Sequence, residues 1–361
     1  MAIREAEETG MQIRIDGKSC EAVAGQTVLD VARANGFYVP TLCYHAKTGR
    51  AGKCRACVAE IHGMRGLQTT CTIEVKDGME VRLDTAKVQQ ARRLVVDLLL
   101  ASGRHDCLSC EKNGACELQE AAYQLGIKKP SFEVADDEDA KYDDSARFIV
   151  RDDSKCIKCG RCIAGCKSTV CNDVLDFGFR SGRTKVICDD DQLMGASTCV
   201  QCGECVQLCP VGALVNKKSV GKGRVWDLEQ VNTTCPYCGV GCQVTMHIDR
   251  PHNRIVKVTG RECEPNQGML CVKGRYGYEF PSHPERLKYP MIKRNDKHVR
   301  VSWDEALDYT ADRMRSILAQ HGPDVFSAFG SGRITNENNY ALSKFMRAVI
   351  RTNNIDHCAR T

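Results

Sequence analysis

CIKCGRCIAGC (156–166) and CVQCGECVQLCP (199–210) decide how this chain is read. Both carry the spacing Cys-x2-Cys-x2-Cys-x3-Cys, first as Cys156, Cys159, Cys162 and Cys166, then as Cys199, Cys202, Cys205 and Cys209. A thiolate is a soft ligand that selects iron–sulfur clusters, zinc or Cu(I) over hard cations. Structural zinc usually pairs two short Cys-x2-4-Cys knuckles. Four closely spaced cysteines, twice in series and the second time ending before Pro210, form an iron–sulfur ligand run instead. Nineteen of the 24 cysteines fall into runs of this kind. The expectation is a protein that moves electrons.

The bulk composition excludes several classes. With 51 basic and 46 acidic side chains, the net charge of +5 implies neither nucleic acid nor a membrane surface as partner. Clustered Cys-x2-Cys spacing in a chain of 361 residues favours metal over disulfides, and hence a reducing interior. The start MAIREAEETG has no apolar core of a signal peptide, and LVVDLLLA (94–101) is interrupted by Asp97 and far too short to span a bilayer. The expectation is a cytoplasmic protein without a membrane span.

Outward from the two runs, the chain divides by its punctuation. Residues 11–83 read as a mixed β unit: Ile13 and Ile15 alternate with polar neighbours and Asp16-Gly17 supplies a hairpin turn. Thr27 caps a helix, TVLDVARAN, that stops at Gly36, and strands follow around Cys57–Ile61 and Met79–Leu83. A helix from Asp84 to Ser102 places Val88, Ala91, Val95, Leu98 and Leu99 on its apolar side. ADDEDAKYDD (135–144) and KKSVGKGR (217–224) read as linkers. The segment 146–216 between them is an internal duplication, one cysteine run to each half. After 289 the character changes. Ser302-x-x-Glu305 opens a helix over 303–320, VFSAFG (325–330) reads as a buried strand, and a helix follows over 336–351, the start of an α/β domain.

Five motifs, in this order, resemble known electron-transfer families. Cys43-x10-Cys54-x2-Cys57-x13-Cys71 departs from plant-type ferredoxin spacing and resembles the 2Fe-2S domain of complex I's large iron–sulfur subunit and of iron-only hydrogenases. The order of its elements resembles a β-grasp. His105-x-Cys107-x2-Cys110-x5-Cys116 resembles the 4Fe-4S site with one His and three Cys ligands that follows in the same families, where three residues rather than one separate histidine from cysteine. The alternative for His105 is a surface-loop histidine, with another group completing the site. The duplicated runs resemble a bacterial two-cluster ferredoxin, in which the fourth Cys of each run serves the other cluster. That implies one site from Cys156, Cys159, Cys162 and Cys209, and a second from Cys199, Cys202, Cys205 and Cys166. Cys171 and Cys188 are left over and read as small buried hydrophobes.

Cys235-x2-Cys238-x3-Cys242-x28-Cys271, in the phrase CPYCGVGC and followed by Val272-Lys273-Gly274, resembles the 4Fe-4S domain of molybdopterin-dependent oxidoreductases, formate dehydrogenases above all. The resemblance places Lys273 between cluster and pterin as an electron relay. By spacing alone Lys273 is an ordinary solvated lysine. GSGRITNENNYALSKFMRAVIRTNNIDHCART (330–361) resembles the first stretch of the molybdopterin-binding domain in those enzymes, with Arg333 as a pterin contact. In that family the metal-ligating cysteine or selenocysteine falls one position after this sequence, so the polypeptide is expected to continue and to be a selenoprotein candidate.

The implied fold class is α+β multidomain. It comprises a β-grasp 2Fe-2S ferredoxin domain (11–90), a 4Fe-4S domain with one His and three Cys ligands (91–130) and a duplicated 4Fe-4S ferredoxin domain (146–220). A molybdopterin-oxidoreductase 4Fe-4S domain (231–288) and the incomplete start of an α/β molybdopterin-binding domain (289–361) follow. The implied cofactors are one 2Fe-2S cluster, four 4Fe-4S clusters and molybdopterin guanine dinucleotide with molybdenum or tungsten. The implied activity is that of a formate dehydrogenase or CO2 reductase catalytic subunit, with formate and CO2 as substrates. Its partners would be flavin and iron–sulfur NAD(P)-reducing subunits, ferredoxin or hydrogenase subunits. A non-catalytic multi-cluster electron carrier is the alternative, and a complex I-type large subunit a third reading.

Overall fold

The structure, a computed structural model, describes residues 10–134 and 140–358. The start of the chain, residues 135–139 of the acidic stretch 135–144 and the last three residues of the 330–361 segment lie outside the described residues. The chain divides into two units, Met1–Glu229 and Gln230–Thr361.

The first unit begins with a five-stranded mixed sheet whose order is Lys18–Ala22, Met11–Ile15, Glu80–Arg82, Val58–Ile61, Leu67–Thr69. Met11–Ile15 pairs in parallel with Glu80–Arg82 and antiparallel with Lys18–Ala22. The turn joining the antiparallel pair puts Asp16 at φ 47° and Gly17 at φ 82°, the left-handed pair that suits strand twist in a two-residue hairpin. Helix Val28–Ala34 is fixed by a reciprocal cap: Thr27 Oγ1 accepts from the Asp30 amide at 3.1 Å, and Asp30 Oδ2 accepts from the Thr27 amide at 2.8 Å. Ile13 and Ile15 from the sheet and Val28, Leu29, Val31 and Ala32 from the helix close the core. Each large apolar side chain among them stabilises the unit by roughly 1.5–3 kcal/mol on full burial. Cys57 and Cys71 belong to this core, so the ligand loop is built into the packed part of the unit.

Helix Ala86–Ala101 follows, and its inward face is not the one the apolar pattern suggests. Val88 and Val96 are buried, but so are Arg92 and Asp97, whereas Leu98 is about half exposed. Polar partners make the difference: Arg92 Nε donates to the Val58 carbonyl at 3.0 Å, and Asp97 Oδ1 accepts from the Ser131 amide at 2.9 Å. Strand Leu67–Thr69, which the sequence pattern does not announce, completes the sheet edge.

The duplicated segment folds as two matching halves. Gly160 and Gly203 (φ 81° and 77°) open the short helices Arg161–Ala164 and Glu204–Leu208, while Ile149–Asp152 pairs with Leu214–Asn216 and Leu175–Gly178 with Lys185–Cys188. The stretch 217–224 is not a loose linker. Gly221 N donates to Glu111 Oε1 at 2.8 Å and Arg224 Nη1 to the Cys110 carbonyl at 2.8 Å, so it straps the second cysteine module.

In the second unit, Gln243–Asp249 and Arg254–Gly260 form an antiparallel pair carrying Val244 and Val258 into a small core with Leu270 and Tyr278. Helix Trp303–His321 starts at Ser302, whose Oγ accepts from Glu305 N at 3.1 Å. Glu305 turns to Arg294 rather than back to the cap. The strand expected at 325–330 is short, Ala328–Gly330, pairs in parallel with Ile355–His357, and is exposed rather than buried, Phe329 being 78% exposed. Helix Asn336–Lys344 passes into a wider π turn, Phe345–Ile350. Among the described residues no helix is long and apolar enough to cross a membrane.

Candidate metal centres

Cys43, Cys54, Cys57 and Cys71 come together in the first module. The Cys43 thiol accepts from the amides of Lys53 and Cys54 at 3.3 and 3.4 Å. Hydrogen bonds from the Cys54 and Cys71 thiols push Cys43 down to about 2. Cys57 is pushed down to about 6, chiefly by its hydrogen bond from Cys71. The donors, Cys54 and Cys71, are held up correspondingly. The four thiols thus lie within hydrogen-bonding reach of one another.

The second group lines a cavity with His105, Cys107, Cys110 and Cys116, closed by Leu118, Val211 and Gly212. Cys116 caps helix Glu117–Gln124 and is raised by burial. His105 is half-buried, and burial holds its imidazole below its usual value. Its Nε2 lies 3.2 Å from the Leu99 carbonyl, a contact that a neutral ring makes only as donor. That leaves the Nδ1 lone pair available to a metal, the tautomer selection typical of a ligating histidine.

In the duplicated segment each group of three thiols lies beside the last cysteine of the other run. Cys156, Cys159 and Cys162 share a cavity with Cys209, the last cysteine of the other run. Cys199, Cys202 and Cys205 group with Cys166. The two halves repeat even their amide–sulfur contacts: Lys158 N donates to Cys156 Sγ at 3.4 Å and Gln201 N to Cys199 Sγ at 3.3 Å. Burial pushes Cys156 up to about 11 and Cys159 to about 12, and Cys162 and Cys205 well above an ordinary thiol. A buried thiolate needs positive charge beside it, which bound iron would supply. Of the two cysteines outside the scheme, Cys188 is buried and accepts from Arg151 Nη1 at 3.2 Å. Cys171 is exposed at φ 59°, because the chain turns outward after the π turn at Gly165–Thr169.

In the second unit Cys235, Cys238, Cys242 and Cys271 lie close together. The Cys235 amide donates to the Cys242 carbonyl at 2.8 Å, and Cys271 opens helix Val272–Tyr276. Lys273 lies exposed in the first turn of that helix. Arg333 is also exposed, on the turn whose Gly332 amide donates to Cys358 Sγ at 3.2 Å. This turn reaches the cluster loop: a Cβ on Gly239 would stand 3.3 Å from the Gly332 carbonyl.

The residues fit iron–sulfur clusters on three observations: grouped thiols, amides aimed at sulfur, and the buried Arg161 Nε, which has no hydrogen-bond partner in the protein. Among the described residues no three His, Cys, Asp or Glu groups converge on a site for a single ion. Cys156, Cys159, Cys162 and Cys209 line one cavity, and His105, Cys107, Cys110 and Cys116 another. Sequence reasoning passed over Arg161, Glu204, Lys47 and Gly212, which pack beside these sets. Its available signal was the opposite charge in CGRC and CGEC at the same place in each repeat.

Five family models match consecutive segments. They are a 2Fe-2S iron-sulfur cluster binding domain (residues 8–86), an NADH-ubiquinone oxidoreductase-G iron-sulfur binding region (92–131) and a 4Fe-4S dicluster domain (155–213). A molybdopterin oxidoreductase Fe4S4 domain (228–283) and molybdopterin oxidoreductase (286–361) complete the series. The alpha subunit of an NADPH-Fe(3+) oxidoreductase from Geobacter sulfurreducens is 34% identical over 97% of this chain and 40% of its own length. A G-type subunit of NADH-quinone oxidoreductase from Rhizobium meliloti is 35% identical over the same shares. A Staphylococcus aureus protein named "Putative formate dehydrogenase" is 28% identical over 96% of this chain and 39% of its own. The chain thus spans about 40% of the length of the curated relatives it matches. Among solved structures, a chain of an NAD+-reducing [NiFe]-hydrogenase in the H2-reduced state aligns with a TM-score of 0.55 at 30% identity, covering 60% of this chain and 91% of that one. The chain is an electron-transfer iron–sulfur protein that carries the domains of the molybdopterin oxidoreductase family.

Proposed function

We propose that this chain is the electron-transfer part of a formate dehydrogenase or CO2 reductase catalytic subunit. The observation that carries the reading is the Cys235, Cys238, Cys242 and Cys271 set, with Lys273 exposed just beyond its last thiol. The molybdopterin oxidoreductase match over 286–361 and the name of the Staphylococcus aureus relative support it. A molybdenum or tungsten ion held by molybdopterin guanine dinucleotide supplies the two-electron chemistry of formate when bound. Lys273 and Arg333 would hold and orient the pterin. Cys235, Cys238, Cys242 and Cys271 would hold the first 4Fe-4S acceptor.

In this reading Cys43, Cys54, Cys57 and Cys71 hold 2Fe-2S. His105, Cys107, Cys110 and Cys116 hold one 4Fe-4S cluster, with His105 Nδ1 as its nitrogen ligand. The two crossed sets of the duplicated segment hold two more. Burial of these thiols excludes water, and the amides aimed at sulfur stabilise added negative charge. The work of the chain is a fixed path, and the partner at its end would be a flavin-bearing NAD(P)-reducing subunit, ferredoxin or a hydrogenase subunit in a reducing cytoplasm.

The hydrogenase chain, 91% of which aligns here, favours a second reading: an electron carrier with no formate chemistry of its own. Metal and pterin analysis of the native complex separates the two. Molybdenum or tungsten with pterin, together with bleaching of cluster absorption by formate, is expected. Iron alone, with clusters that formate leaves oxidised, would overturn the formate reading.

A further inference from the structure

Arg161 and Glu204 occupy the same place in the two halves of the duplicated segment. Each follows a left-handed glycine and stands between the second and third cysteine of its run. Both are 2% exposed, although an isolated charge in such a place is strongly disfavoured. Each is paired with a different module. Arg161 forms a bidentate pair with Glu117, at 2.6 and 2.7 Å, beside Cys116 of the second module, and its Nη2 also donates to the Thr41 carbonyl at 3.3 Å. Glu204 pairs with Lys47 of the first module at 3.3 Å, and the Lys47 side chain is only 10% exposed. Lys53, next to Cys54, adds a third contact, with its Nζ 4.6 Å from the centre of the Phe177 ring.

We infer that Arg161 and Glu204 are positioning residues: a pair of docking keys, of opposite charge at repeat-equivalent positions, that seat the two amino-terminal cysteine modules against the two-cluster segment. Opposite signs make the docking directional, because a Glu at 161 or an Arg at 204 would meet a like charge. Buried pairs with fixed geometry discriminate between partners in this way. The loop 41–54 is gripped from both halves at once, through Thr41, Lys47 and Lys53. The cluster spacing on which electron transfer depends is thereby set by two side chains that ligate nothing.

The inference rests on the cluster assignments proposed above, and its test separates the two. In the full chain, reconstituted anaerobically, iron and sulfide content reports the assignments. Amide exchange of residues 41–54 and spin coupling between reduced clusters report docking. Glu204→Gln and Arg161→Met should keep the wild-type iron content, raise exchange across 41–54 on the order of ten-fold, and weaken the coupling. The double charge exchange Lys47→Glu with Glu204→Lys should restore both, and Arg161→Lys should restore part. Unchanged exchange and coupling in both single variants would overturn the inference, as would a defect in Glu204→Gln, iron loss included, that the charge exchange fails to repair.

Discussion

A Cβ placed on Gly212 would lie 2.4 Å from the Sγ of Cys110, a distance no carbon and sulfur tolerate. Gly212 follows the Cys209-Pro210 end of the second ferredoxin-like run, so one module supplies the space into which a thiol of another module fits. Lining the same cavity are His105, Cys107 and Cys116. Gly212→Ala should therefore cost one cluster, about four irons per chain, while the Cys43–Cys71 and Cys235–Cys271 sites load normally. Iron analysis with the visible spectrum checks it; full loading of the variant would mean that Cys110 is not a ligand.

His105→Cys should keep its cluster and lower its reduction potential, because a thiolate replaces a neutral ring and adds negative charge to the site. The loss of the Nε2 contact to Leu99 is expected to loosen the loop without emptying it. An EPR-monitored redox titration reads the shift. A potential and spectrum identical to wild type would remove His105 from the ligand set.

His247 gives the second unit an acid-sensitive point outside the clusters. It is 8% exposed, its Nε2 is 3.0 Å from Thr259 Oγ1, and burial, with Lys257 nearby, holds it down to about 4. Unfolding returns it to about 6.5. Between those values the unfolded chain binds the extra proton, so stability falls as pH drops below about 6.5 and the loss levels off near pH 4. The full loss is roughly 3 kcal/mol. Denaturant titrations at several pH values should show His247→Gln flattening this slope; an unaltered slope would assign the sensitivity elsewhere.

How far the sequence reached depended on whether function or packing set a residue. The iron–sulfur domains were legible because cluster chemistry fixes the spacing of their cysteines, and the Thr27 cap because its donors are local. The inward face of helix Ala86–Ala101 was not, since Arg92 and Asp97 find their partners at Val58 and Ser131, far away in sequence. Cys171 and Cys188 looked alike as spare cysteines, yet one is exposed and the other buried against Arg151, a distinction made only by tertiary contact. Arg161 and Glu204 drew no reading for the same reason, since their partners Glu117 and Lys47 are far away in sequence. Phe329 was misread in the other direction: the pattern of VFSAFG suits a buried strand, but its neighbours leave it exposed.

Thr27→Ala should destabilise the first module by about 1 kcal/mol, within a range of roughly 0.5–2. The variant loses the bond to the Asp30 amide, and the Thr27 hydroxyl donation to Asp30 at 2.7 Å goes with it. Chemical denaturation monitored by the 2Fe-2S absorption measures it, and no change would mean that the helix start is held by packing alone.

Lys273→Met, made in the complete enzyme, should leave the Cys235–Cys271 site loaded, because the lysine is exposed and stands outside the small core of Val244, Val258, Leu270 and Tyr278. Formate-dependent reduction of the clusters should slow while dithionite reduction stays fast. Equal rates of formate reduction in variant and wild type would return Lys273 to an ordinary surface lysine.

The central claim is that this chain carries five iron–sulfur clusters in series. Anaerobic reconstitution, followed by iron and acid-labile sulfide determination and low-temperature EPR of the reduced protein, tests it most directly. The account predicts about sixteen to eighteen irons per chain, one 2Fe-2S signal and several interacting 4Fe-4S signals. Two zinc ions per chain with no visible charge-transfer absorption would contradict it.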